Sequence, residues 1–186
     1  VKAAPAGTSA YGVTIGEKDA PHEVIIYEDF LCPFCAQLED ASRDGLEELA
    51  ANGKVLVEYR PFNFLGSLGD YPTRATNAFA VVMEKSGPEV AKKFHDLLFE
   101  NQPPERDPDS ASNDDLVDLA VEAGAVEADV RPGIEKLSKQ DFVDGATKEA
   151  EKAGVMSTPT ILLDGQVFDD GRTVEDRAEN LIEELD

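Results

Sequence analysis

Two cysteines three positions apart constrain this chain more than any other feature of its sequence. Cys32 and Cys35 are the only cysteines among 186 residues, and they lie in the stretch DFLCPFC that begins at Asp29. Residues 23–30, EVIIYEDF, begin with the β-branched and aromatic content of a buried strand. Beyond Cys32 apolar residues recur at helical spacing, and a C-terminal stop follows at residues 52–54. The pair therefore lies where a strand ends and a helix begins.

A thiol at such a junction is chemically activated. The first N–H groups of a helix have no partner within the helix, and the helix dipole adds partial positive charge, so both stabilise a thiolate. These effects bring a thiol pKa of about 8.5 down to roughly 3.5–7.5. Pro33 suits the first helical turn because its missing N–H would have had no partner. Cys35 lies one turn on and should be more buried, so we expect Cys32 to attack and Cys35 to resolve the mixed disulfide.

Two other uses of the cysteine pair are weaker. A structural disulfide across two intervening residues closes a very small loop and stabilises a fold little. A zinc site needs four ligands, yet His22 lies ten residues before Cys32 and His95 lies sixty after Cys35, and the chain has no other histidine. That spacing matches no zinc module, so we predict no metal and no cofactor. We interpret His95 as a packed or helix-surface residue.

The remaining pattern predicts an α/β fold with a helical insertion. Residues 55–62, VLVEYRPF, alternate as a second strand, and a strand–helix–strand unit favours a parallel pair. A short strand is expected at residues 13–15. From residue 73 to about 154 nearly every segment has helical character, although Pro132 and Gly133 should break one of these helices.

The last part of the chain returns to strand character. The segment TPTILLDGQVFDDG contains Asp164-Gly165 between two apolar runs, which is a strong hairpin signal. An amphipathic helix should end the chain, with its apolar side formed by Leu181, Ile182 and Leu185.

These patterns divide the chain into four parts. Residues 1–11 are small and Pro-containing and predict a flexible N-terminal arm. Residues 12–62 and 155–186 hold the strands, and residues 63–154 form the helical insertion between them. No long linker flanks the insertion, so we expect one domain. Within it, residues 101–112 are Pro-rich and acidic and should form a mobile surface loop.

The charge of the chain excludes some partners. Acidic residues number 39 against 17 basic ones, for a formal net charge of −22. Nucleic-acid binding needs a basic surface that releases counterions, so we expect no nucleic-acid partner. No apolar run reaches the roughly 18 residues that a membrane span requires.

A second distinctive stretch, GVMSTPTILLDG, places Thr158 and Pro159 directly before a strand. On frequency alone the bond between them should be trans, because about 5–6% of X-Pro bonds in folded proteins are cis. Taken together, a strand that ends in YEDFLCPFC, a helical insertion and this Thr-Pro step resemble the thioredoxin superfamily. The inserted helices make the chain similar to the DsbA-like thiol–disulfide oxidoreductases, especially the bacterial secreted or envelope-anchored forms. The resemblance extends over roughly residues 13–185.

The resemblance implies a role for several residues. It makes Cys32 the exposed nucleophile and Cys35 its buried partner. It makes Pro159 a cis-proline that faces the disulfide, and Thr158 the residue whose backbone pairs with an extended substrate segment. The two intervening residues, Pro33 and Phe34, tune the redox potential.

Two departures from the family pattern concern the chemistry of the pair. Many relatives carry an acid six residues before the first cysteine as a proton relay for the buried thiol, but Ile26 stands there. Proton transfer to Cys35 would then run through Glu28, through Asp29 or through water. The strongest oxidant of the family has histidine where Phe34 stands, and a neutral ring cannot stabilise a thiolate as an imidazolium can. We therefore predict a Cys32 pKa less depressed, and a potential less oxidising, than in that relative.

The leading functional hypothesis is an extracytoplasmic oxidase that donates the Cys32–Cys35 disulfide to unfolded or partly folded exported proteins with free thiols. A membrane partner would reoxidise it, and we expect a monomer. Because the sequence begins at Val1 rather than Met, we expect an upstream signal or anchor that is missing from it. The alternatives are a disulfide reductase or isomerase, and a non-catalytic binding domain on a thioredoxin scaffold.

Overall fold

The computed structural model describes residues 2–186, so Val1, the first residue of the predicted arm, lies outside the described residues. The strands in this range are β1 (Ala6–Thr8), β2 (Val13–Ile15), β3 (His22–Glu28), β4 (Val55–Pro61), β5 (Thr160–Leu163) and β6 (Gln166–Val167). The helices are α1 (Pro33–Ala51), α2 (Tyr71–Ser86), α3 (Pro88–Glu100), α4 (Asn113–Ala123), α5 (Glu127–Lys136), α6 (Gln140–Lys152) and α7 (Val174–Leu185).

The strands form one mixed sheet in the order β1-β2-β4-β3-β5-β6. Strands β3 and β4 are parallel neighbours, as a strand–helix–strand unit predicts, and the other pairings are antiparallel. The helices α2 to α6 follow one another between β4 and β5, which is the predicted helical insertion. The fold is therefore a thioredoxin-type sheet interrupted by a helical block.

The prediction that residues 1–11 form a flexible arm is wrong for residues 6–8. Residues Ala6–Thr8 form β1 and pair with Val13–Ile15 at the edge of the sheet. Further along, Tyr11 packs edge-on against Phe142 of α6, with 5.7 Å between the ring centroids. Backbone pairing and this aromatic contact hold a segment whose composition alone suggested mobility.

Strand alternation gives β3 two different faces. Val24 and Ile26 are fully buried in the main core, which also contains the inner residues of α1, α3 and α7. Tyr27 lies in a second, smaller core with Ala146 and Ala150 of α6. Because side chains alternate along a strand, Glu28 lies on the same face as Ile26.

Helix α5 runs through Pro132 and Gly133, where the sequence predicted a break. Gly133 lies against α2: a Cβ at this position would meet Val81 at 3.0 Å, and its carbonyl oxygen accepts a hydrogen bond from Asn77. Tertiary packing therefore retains a helix that local propensity disfavours.

The C-terminal part follows its predicted pattern. Asp164 and Gly165 both adopt positive φ, at 51° and 83°, and join β5 to β6 as a tight hairpin. Helix α7 packs on α1, with Leu181 and Leu185 buried and Ile182 partly buried against the same core.

Candidate active site

The cysteine pair lies at the junction that the sequence predicted. Cys32 is the N-cap of α1, with φ −72° and ψ 118°, and Pro33 is the first helical residue. The carbonyl oxygen of Cys32 accepts bonds from the N–H groups of Cys35 and Ala36, at 3.1 and 3.2 Å. This geometry directs the free N–H groups of the first turn toward the thiols.

Cys32 is less open to solvent than the resemblance implied, since 4% of its surface is exposed. Its Sγ donates to the carbonyl oxygen of Thr158 at 3.5 Å. Hydrogen bonds from the Cys35 thiol, from Thr158 and from the backbone N–H groups of Cys35 and Phe34 lower the pKa of Cys32 from 9.0 to about 7, against the opposing effect of burial. Cys32 is therefore the more acidic of the two thiols.

Cys35 has the opposite character. It is fully buried on the inner side of α1. Burial, followed by the neighbouring Cys32 and the charge of Glu28, raises the pKa of Cys35 well above the usual thiol range. One thiol of the pair thus stabilises its negative charge, while the other retains its proton.

The second predicted stretch comes to the same place in space. The Thr158–Pro159 peptide bond is cis, as the resemblance implied, and β5 begins at the next residue. A groove of about 440 Å³ opens beside the pair. It is lined by Phe34, Gln37, Ser157, Thr158, Pro159, Arg172, Thr173, Val174, Glu175 and Arg177.

The two segments that meet at this groove carry exposed apolar residues. Phe34 is 58% exposed although it follows the apolar spacing of α1, and Met156 on the loop before Thr158 is 87% exposed. Pro33 is half-buried at the start of the helix. The site thus combines an acidic thiol, a backbone carbonyl and exposed apolar surface.

The two candidate relay acids have different surroundings. The carboxylate of Asp29 accepts bonds from the N–H groups of Leu31, Phe64 and Leu65, each at 2.8 Å. Burial raises the pKa of Asp29 to about 6 despite these bonds. Glu28 is also fully buried; its Oε1 contacts Nε2 of His95, and its Oε2 has no hydrogen-bond partner. Asp29 is therefore occupied by the backbone, whereas Glu28 has a free acceptor.

Glu28 belongs to a buried Glu–His–Glu cluster, which we define as Glu28, His95 and Glu39. Nε2 of His95 lies 3.8 Å from Oε1 of Glu39, and all three side chains are buried. Burial alone would lower the pKa of His95, but the carboxylates of Glu28 and Glu39 raise it to about 10. Burial and the charge of Glu28 raise the pKa of Glu39 well above its usual range. Among the described residues, these three form a group that could hold a metal ion, because one nitrogen or oxygen atom of each lies within 4.8 Å of those of the other two.

A further polar residue supports the cysteine loop from the helical insertion. The side-chain amide of Gln102 donates to the carbonyl oxygens of Phe30 and Cys32, at 2.9 and 3.0 Å. Gln102 follows α3 in the segment that the sequence predicted to be a mobile surface loop. At least this residue of the loop is tied to the active site.

Comparison with known proteins places the chain in a family. The model of the thioredoxin family matches residues 8–184. The chain belongs to the thioredoxin family. Within it the chain is a DsbA-like thiol–disulfide oxidoreductase, as the resemblance predicted.

Three similar proteins illustrate this relationship. The probable disulfide bond formation protein D of Bacillus cereus is 26% identical over 158 residues, which are 83% of this chain and 70% of that protein. MdbA of Corynebacterium diphtheriae, a thiol–disulfide oxidoreductase, is 26% identical with a TM-score of 0.79, covering 100% of this chain and 94% of that one. Oxidised DsbA of Mycobacterium tuberculosis is 26% identical with a TM-score of 0.74, covering 98% and 90%.

Other features of this DsbA-like chain follow from the structure. Helices in residues 2–186 are all too short or too polar to cross a membrane. Ile26, at the position where many relatives carry an acid, is fully buried in the core. Glu28 lies two residues further along the same strand face, so an acid reaches the same side of the sheet from a different position.

Sequence reasoning missed Glu39, Gln102 and the environment of His95. One signal for Glu39 was available, because it follows Cys35 by four positions and so lies on the same side of the helix. His95 is a packed histidine, which was one of its two predicted interpretations, but it packs against acids as well as aromatic rings.

Proposed function

We propose that this DsbA-like protein is an oxidase that donates the Cys32–Cys35 disulfide to thiols of exported proteins. The asymmetry of the two thiols carries this proposal. The pKa of Cys32 is lowered to about 7 by the Cys35 thiol and its other hydrogen bonds, whereas burial holds that of Cys35 well above the usual range. A disulfide reacts faster when its leaving thiol is more acidic, and a stabilised thiolate favours the reduced enzyme.

The reaction has two exchange steps. A substrate thiolate first attacks Sγ of Cys32 in the oxidised enzyme, so a mixed disulfide forms while the bond to Cys35 breaks. A second substrate thiolate then attacks the substrate sulfur of the mixed disulfide, and Cys32 leaves as a thiolate. Two electrons pass from the substrate to the enzyme, and the substrate gains one disulfide.

Glu28 is the candidate proton partner in the first step. Cys35 leaves the disulfide as a thiolate within a buried site, where burial strongly favours the neutral thiol. Oε2 of Glu28 has no hydrogen-bond partner, and the charge of Glu28 acts on Cys35. We assign Glu28 the exchange of this proton, and Asp29 the positioning of the loop through its three backbone bonds.

The groove beside the thiols is the candidate substrate site. An extended segment paired with the backbone at Thr158 would bring its cysteine to Cys32, since β-strand addition uses backbone groups and tolerates many sequences. Pro159 would border the same segment. Phe34 and Met156 offer exposed apolar surface, which suits unfolded chains. Pro33 and Phe34 would set the redox potential because they shape the first turn of α1.

The cellular context follows from the chemistry. A protein that introduces disulfides works where disulfides persist, so we propose an extracytoplasmic location, reached through an N-terminal segment outside this sequence. Each turnover leaves the enzyme reduced, and the electrons need an acceptor. A membrane-bound oxidant that accepts two electrons from Cys32 and Cys35 is the expected partner.

Refolding of a reduced protein with two native disulfides tests the proposal. The oxidised enzyme should speed recovery of native substrate at least tenfold over buffer, and Cys32→Ser should remove the effect. Failure of the oxidised enzyme to accelerate oxidation would overturn the proposal. A reduction potential measured against glutathione then separates an oxidase from a reductase, because a reductase holds the more negative potential.

A further inference from the structure

The Glu–His–Glu cluster lies deep in the fold and connects three elements. Glu28 ends β3, Glu39 lies in α1 and His95 lies in α3 of the helical insertion. All three are 0% exposed. The oxidase reaction proposed above uses only Glu28, which leaves Glu39 and His95 without an assigned role.

Three carboxylate oxygens of the cluster have no hydrogen-bond partner. Oε2 of Glu28 and both oxygens of Glu39 are buried without a hydrogen-bond partner. Buried polar atoms in proteins are nearly always paired, so each exception requires an explanation, and a cation is one of the few. One oxygen of Glu28, one oxygen of Glu39 and one ring nitrogen of His95 all lie within 4.8 Å of one another.

The surroundings of His95 match those of a metal-ligating histidine. Its second ring nitrogen, Nδ1, lies 2.8 Å from Oδ1 of Asp96. Histidine ligands commonly donate this other N–H to a carboxylate, which fixes the ring and directs the opposite nitrogen to the ion. Aromatic rings surround the imidazole with centroids 4.8–6.5 Å away, those of Phe30, Tyr59, Phe79 and Phe99.

The formal charges around the cluster also favour a cation. Glu28, Glu39 and Asp96 face three basic side chains, those of His95, Lys92 and Arg43. Lys92 and Arg43 are each shared with another acid, since Lys92 also pairs with Glu47 at 3.1 Å and Arg43 with Glu100 at 2.8 Å. Acids therefore outnumber bases in this part of the described structure.

We propose that Glu28, Glu39 and His95 form a binding site for one divalent transition-metal ion, with zinc as the expected class. One ring nitrogen of His95, one oxygen of Glu28 and one oxygen of Glu39 supply three ligands, and a water molecule would complete the tetrahedron. Zinc binds nitrogen and carboxylate oxygen at about 2.0–2.2 Å, which places tetrahedral ligands about 3.4 Å apart. The 3.8 Å between Nε2 of His95 and Oε1 of Glu39 is close to that separation.

The choice of ion follows from the ligands. An imidazole nitrogen favours zinc and other late transition metals over magnesium and calcium, which prefer six or more oxygens. Binding breaks the direct contact between His95 and Glu28 and releases any proton held by His95 Nε2 and the Glu39 carboxyl. The sequence prediction of no metal considered the histidines only together with the cysteines.

A surface cavity lies beside the residues that support the cluster. Lys92 and Asp96 line a surface cavity of about 840 Å³ together with Glu47. Asp96 therefore contacts His95 on one side and borders this cavity on the other. Because the ion would engage Glu28, it would also interrupt the proton exchange with Cys35; this consequence rests on the proposed function, whereas the binding itself does not.

A zinc titration of the oxidised protein tests the site without interference from thiols, since both cysteines are then in the disulfide. Free zinc is fixed with a chelator buffer, because a chain with 39 acidic residues binds zinc weakly at its surface. We expect one retained zinc ion per chain, measured by elemental analysis after dialysis. Glu39→Gln and His95→Gln should each weaken binding roughly 10-fold or more, and Asp96→Asn roughly 10- to 100-fold.

His22→Gln is the matched control, since His22 is the other histidine and is paired on the surface with Asp164 at 2.8 Å. It should leave zinc binding unchanged. If a cluster variant fails to fold, imidazole NMR of the wild type decides: zinc should shift the signals of His95 and not those of His22. No retained zinc, or zinc that leaves the His95 signals unchanged, would overturn the proposal, while oxidase activity would be judged separately by the refolding assay.

Discussion

The thiol of Cys32 donates a hydrogen bond to the backbone carbonyl of Thr158, with 3.5 Å between Sγ and the oxygen, across 126 positions of sequence. The contact joins the two most informative stretches of the chain, one before α1 and one before β5. The thiol, the Thr-Pro step and the groove therefore lie together in the fold. In the proposed reaction, a substrate sulfur that attacks Cys32 would arrive beside Thr158.

Titration of the reduced protein should show a Cys32 pKa near 7. The Cys35 thiol is the first cause of that low value, so Cys35→Ala should raise the Cys32 pKa from about 7 toward 9.0. Cys35→Ser retains a donor and should have an intermediate effect. Thiolate absorbance as a function of pH measures the Cys32 pKa in the wild type and in both variants. A wild-type value near the bottom of the range of roughly 3.5–7.5 would contradict both this expectation and the tuning assigned to Phe34.

The same shift makes the stability of the reduced protein depend on pH. The pKa of Cys32 is about 7 in the folded protein and 9.0 for an unperturbed thiol. The depressed pKa therefore stabilises the folded state fully above pH 9, and this stabilisation is lost as the pH falls through 7. Between pH 6.5 and 8.5 the free energy of unfolding should rise by about 1.5–2 kcal/mol relative to Cys32→Ser. Denaturant unfolding of both proteins under reducing conditions measures the difference, and parallel pH profiles would refute it.

Local sequence signals predicted the part of the site that local physics controls. The strand, Cys32 at the helix start and Pro33 in the first turn all follow from residue types and spacing within a short segment. The hairpin at Asp164-Gly165 is similar, because positive φ at both residues is a property of the turn itself. Proximity of Thr158 to Cys32 is a long-range fact, and only the family resemblance indicated it.

The residues that sequence reasoning missed are polar groups whose burial depends on tertiary partners. Glu39 is an ordinary helix residue by composition, and its burial arises because α1 packs its inner side against the sheet and α3. Gln102 follows a helix in a polar segment, yet its amide satisfies two carbonyl groups of the cysteine loop. No periodicity identifies such residues, since hydrogen-bond partners compensate for their burial only in the folded chain.

Phe34→His should make the enzyme a stronger oxidant. An imidazolium next to the first helical turn would stabilise the Cys32 thiolate, lower its pKa further and favour the reduced form. The equilibrium with glutathione should therefore shift toward reduced enzyme at least severalfold. Phe34→Leu is the matched control, because it changes the ring without adding charge. Equal potentials for the two variants would show that residue 34 does not act through charge.

Gln102→Ala should destabilise the protein by about 1–3 kcal/mol, because it leaves two partly buried carbonyl groups without their donor. Gln166→Ala removes an exposed glutamine from β6 and should change the free energy of unfolding by less than about 0.5 kcal/mol. Gln102→Glu tests the effect of a negative charge near the thiol, because a carboxylate at this position should raise the pKa of Cys32. Chemical denaturation and thiol titration check the two effects, and a Gln102→Ala protein as stable as Gln166→Ala would contradict the assignment.

Glu28→Gln should lower the pKa of Cys35. Burial and Cys32 are the main causes of its high value, and the charge of Glu28 raises it further, so loss of that charge favours the Cys35 thiolate. Thiol titration in a Cys32→Ser background isolates Cys35, with Glu58→Gln as control. Glu58 is a nearly buried acid on β4 whose carboxylate pairs with Arg60 at 3.0 Å, and it is not among the causes of the Cys35 shift. Only Glu28→Gln should change the pKa of Cys35. The same variant should make the rate of mixed-disulfide formation more dependent on pH, because the departing Cys35 thiolate must then take its proton from solvent. Identical titrations for the two variants would remove Glu28 from the mechanism.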